Sequence, residues 1–122
     1  GGEPMPTGIW QESIIPSPTL LFRYSAVTFN GHRIHYDWPY ATDTEGYPGL
    51  VVHGPLMATL SLRAFCRANP QAQVRRFAYR GVRPLIAPHP FVVRGRVVAA
   101  GKAELWVGNS EGIAQQGEVS FD

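Results

Sequence analysis

One cysteine, Cys66, is all the sulfhydryl chemistry the sequence holds. An internal disulfide is therefore excluded, a cysteine-rich zinc module has no basis, and the plain expectation for Cys66 is helix packing. No apolar run reaches the length of a bilayer-spanning helix, and no signal-peptide pattern is present. The expected setting is a soluble intracellular one, the cytoplasm of a bacterium or the mitochondrial matrix of a eukaryote, with no membrane partner. Acidic residues are missing from Gly46 to Ala103, a stretch that carries Arg63, Arg67, Arg75, Arg76, Arg80, Arg83, Arg94, Arg96 and Lys102. Such a stretch either presents positive potential to a phosphorylated ligand or an acidic partner, or is simply a solvated basic face. The net charge is only +2, and no aromatic and basic interleaving marks a nucleic-acid module, so nucleic acid is not an expected partner. Internal repeats and low-complexity tracts are also lacking.

What is present fits one globular domain. At 122 residues and 44% apolar composition, the chain can bury a real but modest core. Residues 1–9, which hold Gly1, Gly2, Pro4, Pro6 and Gly8, have the composition of a mobile arm, leaving 10–122 as the domain. Trp10 to Ile15 suits a first strand. Ser17-Pro18 is a helix N-cap followed by proline in the first turn, and Leu20, Leu21, Tyr24 and Val27 recur at helical spacing over about Pro18 to Thr28. Phe29 to Gly49 is polar and aromatic and shows no long periodic element, which in a compact domain points to function. From Leu50 to Phe65, with Pro55 opening the run, the pattern is that of a buried helix ending near Asn69-Pro70. Strand-like segments follow from Gln73 to Phe121, with breaks at Pro84 to Pro90, Ala99 to Gly101 and Gly108 to Gly112, and Asn109-Ser110-Glu111-Gly112 reads as a hairpin turn. These elements predict an α+β fold with an antiparallel sheet wrapped around a central helix.

The densest chemistry is Phe29-Asn30-Gly31-His32-Arg33-Ile34-His35-Tyr36-Asp37, where two histidines, an amide, a carboxylate and a phenol fall within one short segment. Histidine is the side chain best suited to exchange a proton near neutral pH.

This segment resembles the motif of the MaoC-like, R-specific enoyl-CoA hydratases, Gly-Asp-x-Asn-Pro-Ile/Leu-His-x-Asp followed by an alanine. Ile34, His35, Asp37 and Ala41 agree with it. Asn30 stands where the family has its catalytic aspartate, His32 where it has asparagine and Arg33 where it has proline. A branch that includes 3-hydroxyacyl-thioester dehydratases and mesaconyl-CoA hydratases is more similar still. Its signature is matched by the run from Phe22 to Asp37, by Glu45-Gly46-Tyr47-Pro48-Gly49-Leu50-Val51-Val52-His53-Gly54-Pro55-Leu56, and by Arg80-Gly81-Val82-Arg83-Pro84-Leu85. The resemblance implies a hot-dog fold and a hydro-lyase that reversibly hydrates an enoyl thioester. It needs no metal, and no cofactor beyond the coenzyme A or phosphopantetheine arm of its acyl-CoA or acyl-carrier-protein substrate. Enzymes of this kind pair two hot-dog domains, and the chain resembles the motif-bearing half. A homo-oligomer or a second hot-dog domain is the expected partner, and extending the sheet across two copies would cover an edge.

The resemblance makes His35 the general acid and base. Asn30, which can hold a water but cannot take its proton, either positions that water or stabilises a turn. Gly54, at the start of the buried helix beside Pro55, which has no N–H, offers the oxyanion a backbone donor, or merely suits a turn. His32 could assist, and His53 could orient the loop. Arg80 and Arg83 could meet substrate phosphates. Arg33 meets either a substrate carboxylate or an internal partner, Asp37 or Asp43, while Asp37 caps the turn through Tyr40 and Ala41. The rival to an enzyme is a non-catalytic hot-dog domain that binds acyl thioesters or completes a partner's site. A thioesterase would need a carboxylate near the central helix, and the span from Gly46 to Ala103 has none.

Overall fold

The computed structural model describes residues 2–27 and 32–122. In chain order its main elements are β1 (Trp10–Ile14), α1 (Pro18–Val27), α2 (Gly54–Ala68), β2 (Val74–Gly81), β3 (Phe91–Ala99), β4 (Lys102–Asn109) and β5 (Gly112–Phe121). Between α1 and α2 lie a 3-10 turn, Arg33–His35, and a π-helical turn, Tyr40–Thr44. Both are too short to leave a periodic trace in the sequence.

Capping and periodicity account for the helices. The hydroxyl of Ser17 accepts the N–H of Leu20 at 3.0 Å, as an N-cap should. In α2 proline stands in the first turn, where its missing N–H has no intrahelical use. Leu56, Met57, Leu60, Ser61, Ala64 and Phe65 form the buried stripe of α2, at the three- and four-residue spacing of one helical face. Cys66 lies off that stripe and is exposed, which corrects the expectation that it packs in the helix interface.

The strands form one antiparallel sheet in the order β1-β3-β4-β5-β2. Phe91 and Val93 of β3, Leu105 and Val107 of β4, and Val119 of β5 are buried, and α2 packs across β1, β3, β4 and β5. This is the hot-dog arrangement, a sheet curled around a central helix. Edge strand β2 is exposed along nearly its whole length. The β4–β5 hairpin turns at the predicted place, with Asn109 Oδ1 accepting the N–H of Glu111 at 3.0 Å. Strand β1 stops one residue short of the predicted end, and Ile15 is exposed.

Residues 2–9 form neither helix nor strand, yet they run along the sheet. Ile113 N–H donates to Glu3 O, Gly2 N–H to Glu111 O and Ile9 N–H to Gly95 O, all between 2.7 and 2.8 Å. The cations of the acid-free stretch are partly answered by acids from outside it. Glu12 lies 3.0 Å from Arg67 and 4.0 Å from Arg63, and Asp122 pairs with Arg75. Such exposed pairs contribute about 0–1 kcal/mol each, so their role is to even out the surface potential.

Candidate active site

The segment from Leu50 to His53 organises the site, because both of its neighbours bind it through the backbone. On one side Val51 N–H donates to Ile34 O at 2.8 Å. On the other, Val52 N–H donates to Leu85 O and Ala87 N–H to Leu50 O, each at 2.9 Å. The 3-10 turn that carries His35 is thereby fixed to the residues that lead into α2.

His35 is buried, and its Nδ1 lies 2.7 Å from Val51 O. A carbonyl oxygen can only accept, so Nδ1 carries the proton and Nε2 of the neutral ring keeps its lone pair. Burial lowers the pKa of His35 below the usual histidine value; the Val51 carbonyl opposes this, and the nearby His32 adds a smaller lowering. The result is an uncharged imidazole at neutral pH with a basic nitrogen on offer.

The ring of His35 stacks on that of His53, with centroids 3.8 Å apart and planes 20° from parallel. His53 is wholly inaccessible to solvent, and burial, with a further push from His35, lowers its pKa to about 4. Its Nε2 lies 2.7 Å from Ser25 Oγ of α1, and the ring of Tyr24 meets it edge-on at 4.7 Å. His53 is also the N-cap residue of α2. Next to it, Gly54 begins the helix, where the first N–H groups have no intrahelical partner. Among the described residues, a Cβ built on Gly54 would meet nothing within 4 Å, so none of them fills the space beside this helix end. Gln115 of β5, itself buried, donates from Nε2 to Gly54 O at 2.9 Å and pins that peptide.

The structure therefore brings His32, His35, His53 and Gly54 together, with the ring of His32 6.3 Å from that of His35. Asn30 lies outside the described residues. Arg33 is engaged internally: its guanidinium pairs with Asp37 at 3.0 Å and lies over the Tyr40 ring, 4.2 Å from its centre. Asp37 Oδ1 also accepts the N–H of Tyr40 at 3.1 Å, and that bond, followed by Arg33, holds its carboxyl below the usual range. Beside them lies a cavity of about 390 Å³ lined by His32, Arg33, Ile34, Tyr40, Glu45 and Tyr47.

Arg80 and Arg83 make their contacts elsewhere. Arg80, exposed on β2, donates to Gln116 Oε1 at 2.7 Å. Arg83 lies past the end of β2 and turns to the β4–β5 hairpin, donating to Asn109 Oδ1 and to Gly112 O, with the Glu111 carboxylate 3.8 Å away. Ser25 and Gln115 are the site residues that sequence reasoning missed. Ser25 had a faint signal, one polar residue a helical turn after Leu21 on the apolar stripe. Gln115 had none, since a glutamine in a strand does not announce which backbone it will reach. Among the described residues, no cluster of three or more His, Cys, Asp or Glu could hold a metal ion, and no helix is long and apolar enough to cross a membrane.

Comparison with known proteins places the chain in a family. Residues 3–87 match the family model described as hydroxyacyl-thioester dehydratase type 2. The chain is similar to the mesaconyl-C(4)-CoA hydratase of Chloroflexus aurantiacus, with 51% identity over 84 residues, covering 69% of this chain and 30% of that protein. It is also similar to the mitochondrial hydroxyacyl-thioester dehydratase type 2 of Schizosaccharomyces pombe, at 38% identity over 94 residues, covering 75% of this chain and again 30% of the relative. The chain thus spans about a third of the length of these curated relatives. Among solved structures, unliganded R-hydratase PhaJ1 from Pseudomonas aeruginosa superposes with a TM-score of 0.81 at 20% identity, covering 96% of this chain and 81% of that one, which attests the fold. On the family match and these identities, the chain belongs to the hydroxyacyl-thioester dehydratase type 2 family.

Proposed function

We propose that this chain carries a hydro-lyase site that reversibly adds water across the double bond of an enoyl thioester, with His35 as general acid and base and Gly54 N–H as the oxyanion donor. The observation that carries the reading is the fixed tautomer of His35, with Nδ1–H held by Val51 O and Nε2 free to take a proton, on a ring stacked against the residue that caps α2.

In hydration, Nε2 of neutral His35 takes a proton from water as the water oxygen bonds to the β carbon. The electrons of the double bond move onto the thioester, whose oxygen gains negative charge. The Gly54 N–H at the positive end of α2 meets that charge, and the space beside Gly54, which none of the described residues fills, admits the thioester to the backbone. The imidazolium then returns its proton to the α carbon. Dehydration is the reverse. The likeness to a mesaconyl-C(4)-CoA hydratase and to a hydroxyacyl-thioester dehydratase supports an acyl-CoA or acyl-carrier-protein thioester as substrate. Coenzyme A or phosphopantetheine enters as part of that substrate, and the proton steps call for no other cofactor. Asn30, Arg80 and Arg83 are proposed only as auxiliary groups, for water and for phosphate.

Partnership with a second hot-dog domain, from another copy or from additional chain, is part of the reading. The exposed β2 edge is a strand that such a partner would cover.

The test is loss of enoyl-thioester ultraviolet absorbance with crotonyl-CoA and mesaconyl-CoA. His35→Ala is expected to lower kcat by about 10²–10⁴-fold, the usual contribution of a positioned acid–base group. Turnover indifferent to that change would refute the reading. A second reading, a domain that completes a partner's site without catalysis of its own, is favoured by Asn30, an amide where the family motif has its aspartate. Its signature would be thioester binding with no turnover in any form.

A further inference from the structure

We infer that Ser25 and His53 are positioning residues for His35: the serine of α1 holds the buried His53 ring by its edge, and the face of that ring sets the plane of the general base and seals one side of it from water. This rests on the proposed role of His35.

The two nitrogens of His53 differ in their surroundings. Nε2 has Ser25 Oγ at 2.7 Å, and Nδ1 is buried with no hydrogen-bond partner among the described residues. An orphaned buried N–H is rarer and more costly than an unfilled acceptor. Nε2–H therefore donates to Ser25 Oγ, and Nδ1 keeps a lone pair. A ring fixed this way is uncharged. Protonating it would place an N–H where no acceptor waits among the described residues, in a ring with no access to solvent, and its lowered pKa, about 4, agrees.

The neutrality of His53 matters to His35 because the two rings lie 3.8 Å apart, face to face. A charged His53 would oppose the imidazolium that His35 must form in every turnover, whereas a neutral ring leaves that step open. The same ring covers one face of His35, and burial is the leading cause of the lowered His35 pKa. The other groups around the pair are His32 and the Arg33–Asp37 ion pair on the motif segment, Tyr24 on α1, and uncharged Gln115 on β5. His53 also caps the helix whose first peptide is that of Gly54. One buried hydrogen bond to α1 thus fixes the base and the proposed oxyanion donor relative to each other.

The experiment combines crotonyl-CoA kinetics with ¹⁵N NMR titration of the histidine rings, in the unmutated chain, Ser25→Ala and Ser25→Thr. In the unmutated chain the His53 ring is expected to stay neutral to near pH 4, with His35 titrating below the ordinary histidine midpoint. Ser25→Ala is expected to lower kcat about ten- to a hundredfold, the scale of a small misplacement of a reacting group, with KM changed less than about twofold. It should also raise the His35 midpoint and the acid limb of kcat/KM together. Ser25→Thr, which keeps a hydroxyl, should restore both. Ser25→Ala indistinguishable from the unmutated chain in kcat and in the His35 midpoint would overturn the inference. So would a His53 that titrates at the ordinary value in the unmutated chain, a result that stands even if Ser25→Ala does not fold. The titrations need no substrate, so failure of the hydratase reading, with no turnover by the unmutated chain, is separable from failure of the stacked pair.

Discussion

Between α2 and strands β3 and β4 the buried side chains are apolar but for Ser61, with Phe65, Val93, Leu105 and Val107 all nearly inaccessible. At the N-terminal end of the same helix lie the buried polar side chains His35, His53, Ser25 and Gln115. The first region is stabilised by the mere removal of apolar surface from water, which is non-directional and tolerates any close-packed solution. The second must replace the hydrogen bonds of water one by one. Val51 O answers His35, Ser25 answers His53, and Gly54 O answers Gln115; His53 Nδ1 is left over among the described residues, as Trp10 Nε1 and Arg83 Nε are elsewhere. The two ends of α2 therefore answer to different demands, one to stability and the other to the placing of proton donors and acceptors.

The contrast can be broken most forcefully at the apolar end. Phe65→Ala removes a fully buried ring that packs on Trp10 and Phe121, and should cost about 3–5 kcal/mol of stability in denaturant unfolding, while leaving the His35 titration as it was wherever the chain is folded.

Acid should break the polar end instead. The folded-state pKa of His53 is lowered to about 4 from an ordinary 6.5, so between those values the unfolded chain binds more protons than the folded one. Stability is then full above about pH 6.5 and falls as the pH drops toward 4, by about 3 kcal/mol from this residue alone at 1.36 kcal/mol per unit. His35 shifts in the same direction and adds to the fall. Unfolding midpoints measured from pH 7 to pH 4 check this, and a flat profile would show that neither ring is held neutral by the fold.

The smallest changes sharpen the comparison, because a single methyl group can be added at each end. At Gly95 of β3 a Cβ would come within 2.4 Å of the Trp10 ring and 2.8 Å of Leu105, so Gly95→Ala should cost about 1–3 kcal/mol by overpacking. At Gly54 a Cβ meets nothing within 4 Å among the described residues, and Gly54→Ala should leave stability within about 1 kcal/mol of the original. If the open space is where the thioester lies, the same substitution should reduce turnover at least tenfold, on the order of a weakened oxyanion contact. Thermal melts and the crotonyl-CoA assay, run side by side, separate the two glycines.

Most of the architecture was legible in the sequence because it rests on local chemistry. Ser17-Pro18 marks a helix start through its own hydroxyl and ring, Pro55 does the same for α2, and the short apolar runs from Val74 to Phe121, separated by turn residues, mark the strands of a sheet. Cys66 was misjudged because a one-residue shift on a helix turns a side chain by about 100°, out of the buried stripe. His35 was legible for a different reason: the residues around it carry the family motif, and the match to residues 3–87 bears out that resemblance.

The sequence by itself thus determined the order of the elements, the wrap of a sheet around a central helix, and the segment that carries the family motif, since each depends on periodicity, turn residues or a contiguous motif. Only the tertiary structure decided that His53 stacks on His35, that Ser25 holds it, and that Gln115 reaches Gly54. It likewise decided that Arg83 serves a hairpin and Arg33 an aspartate. Those pairings join residues far apart in the chain, and nothing in one residue's local sequence records which distant group will satisfy it once water has been excluded.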